Sequence, residues 1–308
     1  GTENNRIIVV VKESGMRRYS DQIWNVFSIL FASIVLILCL YPLYFVLIAS
    51  VSDPTMVNSG KVILFPKGIT FSAYKFILAE KDIWIGYRNT ILYTVGSVLV
   101  GAAITIPAAY ALSRKDLVGK NVVLKFLTFL MFFNGGLIPT YIIVNKLHLL
   151  NTAVILIILN CVTVQNIIVA RTFFISNIPD ELLEAASLDG CGNLQFFYKI
   201  VLPLSKSIIA VIVLYIAVWQ WNSYFNALIY TTNRNLQPLQ MVLRDILIQG
   251  QNLNIGEEMD AAMIEYMVEI ANLIKYGVIV MAIVPILCFY PFVQKYFEKG
   301  VLVGSVKG

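Results

Sequence analysis

Aromatic and amide side chains recur at helical spacing inside one very apolar stretch of the chain. Rings stack on the apolar faces of pyranose sugars and amides hydrogen-bond hydroxyls, so such a stripe is able to line a path for a sugar. Two other roles fit equally well, an aromatic belt at a bilayer surface and hydrogen bonds between helices. The residues at i, i+4, i+7, i+11 and i+15, which share one helix face, are Tyr215, Trp219, Asn222, Asn226 and Tyr230.

Two further sets of candidates lie in other apolar stretches. Asn160 and Thr163 share one face of a predicted helix, with Asn166 beside them. They fit the same pathway role, although helix packing is favoured for them. Another stretch is interrupted by residues that break or kink helices, which in transporters often mark gates but also permit close packing. These gate or kink candidates are Gly135, Gly136 and Pro139.

The sequence offers no residues for catalysis or for a metal ion. His148 is the one histidine, which excludes a multi-histidine site, and the four cysteines form no CxxC pair. No GxxxxGK[ST] motif occurs, so no P-loop is present to bind the phosphates of ATP. We therefore expect a chain that is not an enzyme and that holds no cofactor of its own.

The composition indicates an integral membrane protein. Of 308 residues, 58% are hydrophobic and 13% charged, whereas a soluble domain carries roughly 45–50% apolar and about 25% charged residues. Such an apolar excess needs membrane lipid as a partner. The net charge of +5 is modest, and no stripe of basic residues alternates with aromatics, so a nucleic-acid partner is not expected.

Six apolar runs are long enough to cross a bilayer as helices, which takes about 20 residues each. We expect an all-α membrane protein with six spans. The predicted spans are residues 23–49, 89–112, 122–144, 153–174, 207–230 and 272–293.

The distribution of Lys and Arg predicts the orientation of these spans in the cell membrane. The short loop after the second span carries Arg114, Lys115 and Lys120, whereas the short loop after the third carries only Lys146. Basic loops stay in the cytoplasm, so both termini are predicted to be cytoplasmic. The predicted domains are a cytoplasmic tail 1–22, a permease domain 23–293 with external loops 51–88 and 231–271 and a cytoplasmic loop 175–206, and a cytoplasmic tail 294–308.

The spans carry almost no charged residues at hydrocarbon depth. Lys125 and Lys275 lie near span ends, where a long side chain reaches the surface. Transporters coupled to protons or sodium usually place ionisable residues inside spans. An ion-coupled secondary transporter or channel for a small polar solute therefore remains only the alternative reading.

The cytoplasmic loop contains two predicted short helices. Asn177 is the predicted cap of the first, which Gly190 ends, and the second is predicted to stop at Pro203. Leu182, Ala185 and Ala186 give the first helix a small apolar face, flanked by acidic groups. Such a face favours docking into a groove on a partner protein. The alternative is a helix lying on the anionic membrane surface, which the acidic charge disfavours.

This loop resembles the EAA motif of permease subunits of binding-protein-dependent ABC importers. The family pattern is Glu-Ala-Ala, three residues, Gly, nine residues, Ile, one residue and Leu-Pro. The sequence supplies this pattern with Glu184, Ala185, Ala186, Gly190, Ile200, Leu202 and Pro203, and Asp189 adds an acidic group beside the glycine. Residues 132–141 and 221–228 are similar to the LplC/YtcP branch of MalG-like carbohydrate permeases, a branch associated with oligosaccharide uptake.

The resemblance implies a fold, partners and a role. The fold would be the type I ABC importer (MetI-like) fold, with the EAA segment as a cytoplasmic coupling helix whose Glu184 faces an ATPase. A second homologous permease would complete a heterodimer, two ATPase subunits would bind ATP and Mg²⁺, and a lipid-anchored extracytoplasmic binding protein would deliver an oligosaccharide. The chain would form half of the translocation path.

Overall fold

The described part of the chain, residues 2–133, 135–251 and 274–288 of a computed structural model, is helical and contains no β-strand. For 2–23 and 249–251 only the backbone is described. Outside the described residues lie 252–271 of the second predicted external loop, 272–273 and 289–293 of the sixth predicted span, and the whole predicted tail 294–308. The helices are α1 (Thr2–Ser50), α2 (Pro54–Asn58), α3 (Ser72–Ala79), α4 (Lys81–Ser113), α5 (Lys120–Phe132), α6 (Leu137–Lys146), α7 (Ala153–Ile158), α8 (Val164–Asn177), α9 (Asp180–Leu188), α10 (Asn193–Phe196), α11 (Leu202–Leu204), α12 (Lys206–Trp221), α13 (Phe225–Tyr230), α14 (Leu239–Gln251) and α15 (Ile274–Cys288).

Two of the described helices are each long and apolar enough to cross a bilayer. These are residues Trp24–Ser50 of α1 and the whole of α4. Two bent pairs reach that length together: α5 with α6, at 112°, and the segment Asn193–Leu204 with α12, at 81°. Counting each pair as one span gives up to four spans among the described residues. The predicted helical, membrane-spanning class is confirmed, whereas the number six stays a prediction.

The fourth apolar run is broken in its middle, so the prediction of one continuous helix there is wrong. α7 ends at Ile158, and α8 begins at Val164, after five residues that belong to neither helix. Asn160 takes a φ of +65°, a conformation that asparagine tolerates better than most residues. Thr163 then caps α8, since its Oγ1 accepts the Asn166 N–H at 3.2 Å. Asn160 and Thr163 therefore do not share the face of one helix.

The fifth run is also interrupted, which corrects the predicted continuous stripe of Tyr215 to Tyr230. α12 ends at Trp221, and its C-cap, Asn222, donates its N–H to the Val218 carbonyl at 3.2 Å. α13 begins only at Phe225. The non-helical residues between the two helices change the phase of every side chain that follows.

The main core forms where α4, α8 and α12 meet. Ile106 of α4, Phe174 of α8 and Ile212 of α12 are buried in one cluster. Ala186 of α9 and Val201 of the π-helical turn Phe197–Val201 belong to the same cluster. The segment that follows α8 is thus packed into the same core as the apolar helices.

The N-terminal half of α4 is joined by hydrogen bonds to the segment before α14. Asn89 Nδ2 donates to the carbonyls of Asn235 and Gln237, at 2.7 and 3.0 Å. The Thr90 hydroxyl oxygen accepts the Leu239 N–H at 2.8 Å. These bonds satisfy buried polar groups of α4. They also hold the start of α14 against the N-terminal part of α4.

Residue Gly101 lets α4 approach the break between α7 and α8 closely. A Cβ at this position would lie 2.4 Å from the Cys161 carbonyl oxygen and 2.8 Å from Ile216 Cδ1. One helical turn earlier, the Ser97 hydroxyl donates to the Ile157 carbonyl at 2.7 Å. Small residues on α4 therefore hold the non-helical backbone of the fourth run in place.

We expect Gly101→Val to destabilise the protein by about 1–3 kcal/mol, because the added side chain must displace backbone in a packed interior. The measurement is the melting temperature of the purified protein in detergent. Gly192→Val is the matched control, since a Cβ at Gly192 meets no atom within 4 Å. Equal melting temperatures for the two variants would contradict this account of the α4 contact.

Candidate functional site

A cavity of about 940 Å³ opens where the breaks of the fourth and fifth runs face each other. The start of α8 forms one wall, and the end of α12 with the start of α13 forms the other. Every described residue that lines it is uncharged. The lining residues are Asn160, Thr163, Gln165, Asn166, Tyr215, Ile216, Val218, Trp219, Asn222, Ser223, Tyr224, Phe225 and Asn226.

The cavity brings together most of the predicted pathway residues from the two runs. Those that line it are Asn160, Thr163, Tyr215, Trp219, Asn222 and Asn226. Tyr230 lies elsewhere: it is buried, its ring stacks on Tyr141 with centroids 6.1 Å apart, and its carbonyl accepts the Asn151 N–H. Tyr230 therefore joins helices in the core.

The hydrogen bonds of the cavity amides differ from those of structural amides nearby. Gln220, 5% exposed, donates Nε2 to the Leu156 carbonyl at 3.1 Å and so joins α12 to α7. By contrast, the side chains of Asn160, Asn166 and Asn226 make no hydrogen bond with the described part of the chain. Asn222 Nδ2 bonds only to its own helix, at the Val218 carbonyl. Among the described residues, these amides therefore do not form the hydrogen bonds between helices that the sequence left possible.

Among these amides Asn166 is buried, and a buried polar group without a partner costs about 1–3 kcal/mol relative to a paired one. The more exposed amides are open to hydrogen bonds from whatever fills the cavity. The cavity therefore favours a ligand or water that both donates and accepts hydrogen bonds.

Aromatic rings cover the opposite wall of the cavity. Trp219 is 63% exposed, and Tyr215, Tyr224 and Phe225 are also exposed. A ring with an open face is able to stack on the apolar face of a sugar ring. Together, the rings and the amides form a surface that suits a polyhydroxylated solute.

Several lining residues were not among the predicted candidates. They are Gln165, Ser223, Tyr224 and Phe225, and Asn166 was placed only beside the predicted face. A helical wheel assumes a continuous helix, so it does not place these residues on the predicted face, because both helices break at this point. The signal that would have found them is the cap pattern of Thr163 followed by an amide-rich turn.

The EAA segment forms the other part of the candidate site. Its helix, α9, begins at Asp180 with Pro179 at the N-cap, and Asp180 and Glu181 lie in the first turn, where negative charge stabilises a helix. The predicted cap Asn177 is instead the last residue of α8, and its Nδ2 donates to the Phe173 carbonyl at 2.9 Å. That prediction is wrong because the residues before Pro179 continue α8.

The apolar side chains of α9 divide between two faces. Ala186 is buried in the main core, and Leu183 packs beside it. Glu184, Ala185 and Leu182 are exposed, so of the predicted docking face of Leu182, Ala185 and Ala186 only the first two residues are accessible to a partner. Beyond them, Leu188 is 90% exposed. The outward face thus combines acidic and apolar groups.

Gly190 makes the turn after α9, as its position in the motif predicts. Its φ is +76°, and its N–H donates to the Ser187 carbonyl at 3.0 Å. Asp189, exposed, is the C-cap before it. Most L-residues avoid this conformation, so a glycine is favoured here.

The second half of the motif anchors this turn in the core. Ile200 and Leu202 pack against the main cluster. Pro203 lies at the start of α11, which ends at Leu204, so the predicted stop at Pro203 is off by one residue. A proline is tolerated there because the first turn of a helix needs no N–H partner from it.

The short loop before α5 is tied to this segment by cations. Arg114 donates to Asn193 Oδ1 at 3.3 Å, and Lys115 Nζ lies 2.7 Å from Asp180 Oδ2. Hydrogen bonds from Arg114 lower the pKa of Asp116, and the bond to Asp180 raises the pKa of Lys115. Arg171 Nε also donates to the Leu112 carbonyl at 3.0 Å. The C-terminal end of α4 and the EAA segment are therefore connected.

The gate or kink candidates lie at the break between α5 and α6. Gly136, with a φ of +86°, is the N-cap of α6, and its carbonyl accepts the Thr140 hydroxyl at 2.8 Å. A Cβ on Gly135 would meet no atom within 4 Å, and Pro139 lies in the first turn of α6. These residues produce the 112° bend described above.

The sequence of residues 83–303 matches the protein family described as the binding-protein-dependent transport system inner membrane component. The chain belongs to this family. A member is a non-catalytic membrane permease subunit of an ABC importer, and the family works with a partner permease, ATPase subunits and a solute-binding protein.

Relatives and a solved structure agree with this assignment. The chain is 37% identical to the polygalacturonan/rhamnogalacturonan transport system permease protein YtcP of Bacillus subtilis, over 94% of this chain and 99% of the relative. It is also 37% identical to the Protein LplC of the same organism, over 94% and 96%. A crystal structure of a bacterial ABC transporter involved in the import of the acidic polysaccharide alginate matches at a TM-score of 0.79, with 35% identity over 90% of this chain and 98% of that one. The predicted MalG-like carbohydrate-permease resemblance and MetI-like permease fold are confirmed.

Proposed function

We propose that this permease forms half of the translocation path of an ATP-driven importer for oligosaccharides. The observation that carries the proposal is the cavity in which unpaired amides face exposed aromatic rings between two broken spans. Broken helices near the middle of a membrane are a common setting for transporter binding sites. The names of the relatives, which concern pectic polysaccharides and alginate, support the same class of solute.

Energy would reach this path through α9, acting as a coupling helix in a cleft of the ATPase. Its exposed Glu184, Ala185 and Leu188 provide the docking face, and Ala186 on the opposite side lies in the core that α4, α8 and α12 share. A helix held in this way moves the spans when the partner moves it.

The complete importer would contain more than this chain. We place a second homologous permease in a heterodimer, two ATPase subunits that bind ATP and Mg²⁺, and a lipid-anchored binding protein outside the cell membrane. The chain itself would have six spans and cytoplasmic termini, with residues 1–22, 175–206 and 294–308 inside and 51–88 and 231–271 outside. Closing of the ATPase dimer would then turn the cavity outward.

Reconstitution in liposomes tests the function directly. The complete importer, with its binding protein outside, should accumulate oligosaccharide only when ATP is supplied to the ATPase side. Sugar flux through this chain alone, without ATPase subunits, would contradict the proposal and favour a channel or secondary transporter.

The turn after α9 should be essential for coupling. Gly190→Val forces a β-branched residue into a left-handed conformation and so displaces the motif. We expect loss of uptake and of solute-stimulated ATP hydrolysis, with sugar capture by the binding protein unchanged. Gly192→Val is the matched control, because Gly192 lies two residues away with an ordinary φ of −72° and open space. Full uptake by Gly190→Val would exclude the coupling role.

The aromatic wall should contribute to uptake. Trp219→Ala removes an exposed ring, and since a ring contact is worth about 0.5–1.5 kcal/mol, we expect uptake at low sugar concentration to fall roughly 2- to 10-fold. Trp24→Ala on α1 is the control, because Trp24 is also exposed but lies outside the cavity. Equal uptake by both variants, measured with labelled oligosaccharide, would remove Trp219 from the path.

A further inference from the structure

Asn166 combines burial with an unused hydrogen-bonding capacity. It is 7% exposed and lines the cavity at the start of α8. Its backbone N–H is taken by Thr163 Oγ1, but its side-chain amide makes no hydrogen bond with the described residues. The other buried amides of the described residues, Asn89 and Gln220, are paired.

This arrangement is poor for stability and good for recognition. A leucine of similar size would fill the same space without an unpaired polar group, so the amide does not serve packing. An amide both donates and accepts, as a sugar hydroxyl does. A site that hydrogen-bonds a hydroxyl rejects a ligand that lacks it, because such a ligand leaves the amide unpaired.

The other cavity amides are less suited to this task. Asn160 and Gln165 are exposed and Asn226 is only half-buried, so water competes at all three. Asn222 already bonds to its own helix. Among these five amides, only Asn166 is more than nine-tenths buried and makes no side-chain hydrogen bond with the described residues.

We propose that Asn166 determines sugar specificity in a saccharide subsite at the break between α7 and α8. Its amide holds one hydroxyl of an uncharged part of a pyranose ring, and the exposed rings of Tyr215 and Trp219 on the facing wall receive the apolar face of the same sugar. This inference rests on the proposed function, because it assigns a residue to the path of an oligosaccharide importer.

The test uses the complete importer in cells that lack it, supplied with a library of neutral and uronic oligosaccharides that contains epimeric pairs. Import is read by mass spectrometry of cell contents after separation of the epimers. For Asn166→Leu we expect import of the preferred epimer to fall roughly 3- to 10-fold, as for loss of one hydrogen bond. The ratio between epimers should fall with it. Asn166→Gln, which keeps the amide but moves it, should change the epimer ratio.

Thermal melting of the purified complexes separates recognition from structure. Asn166→Leu should melt at the wild-type temperature or above, since no hydrogen bond of its side chain with the described residues is lost. Gln220→Leu is the control and should melt lower, because it leaves the Leu156 carbonyl unpaired. An Asn166→Leu complex that melts as low as the Gln220→Leu complex would show a structural role and overturn the proposal.

The import data separate this inference from the proposed function. If the wild-type importer accumulates no saccharide from the library, the proposed function fails and this inference fails with it. If the wild type imports saccharides while Asn166→Leu and Asn166→Gln keep the same rates and epimer ratios, only the role of Asn166 is overturned.

Discussion

Backbone groups inside a bilayer must find partners within the protein, and the two broken runs of this permease depend on that constraint. The carbonyls of Leu156 and Ile157 lie at the end of α7, and they accept Gln220 and Ser97 from the neighbouring helices. The Val218 carbonyl at the end of α12 accepts Asn222. Side chains from α4 and α12 thus supply hydrogen-bond partners where the helices end inside the two apolar runs. The side chains at the breaks are then left open to the cavity.

α4 links the two parts of the candidate site. Near its middle, Gly101 packs directly on Cys161, next to Asn160 of the cavity. Directly after its C-terminal end, Arg114 and Lys115 contact the EAA segment. Leu112, in the last turn of α4, lies in one cluster with Ala186 of α9. Packed contacts therefore connect α9 through α4 to the wall of the cavity.

The sequence indicated the membrane class and the motif well, because both depend on local features. Apolar content and the spacing from Glu184 to Pro203 need no tertiary information, and the left-handed turn at Gly190 follows from the residue type itself. The breaks were missed because hydrophobicity continues through residues 153–174 although the helix does not. Asn160, Thr163, Trp219 and Asn222 still reach one cavity, but by two facing breaks and not by two continuous stripes. Which residues of α9 are buried and which are exposed is decided by the core against which the helix packs, and a local sequence pattern carries no information about that core.

The unpaired amides also set what the path contains between transport cycles. Polar groups of this kind in a space of about 940 Å³ bind water when no solute is present. A sugar that enters must therefore displace water and replace its hydrogen bonds one for one, while its apolar face releases further water from the rings. The affinity of the cavity for a sugar then depends on the small difference in free energy between the water-filled cavity with the sugar in solution and the cavity with the sugar bound. A solute held by such small differences is bound long enough to be oriented and weakly enough to be released when the cavity opens to the other side.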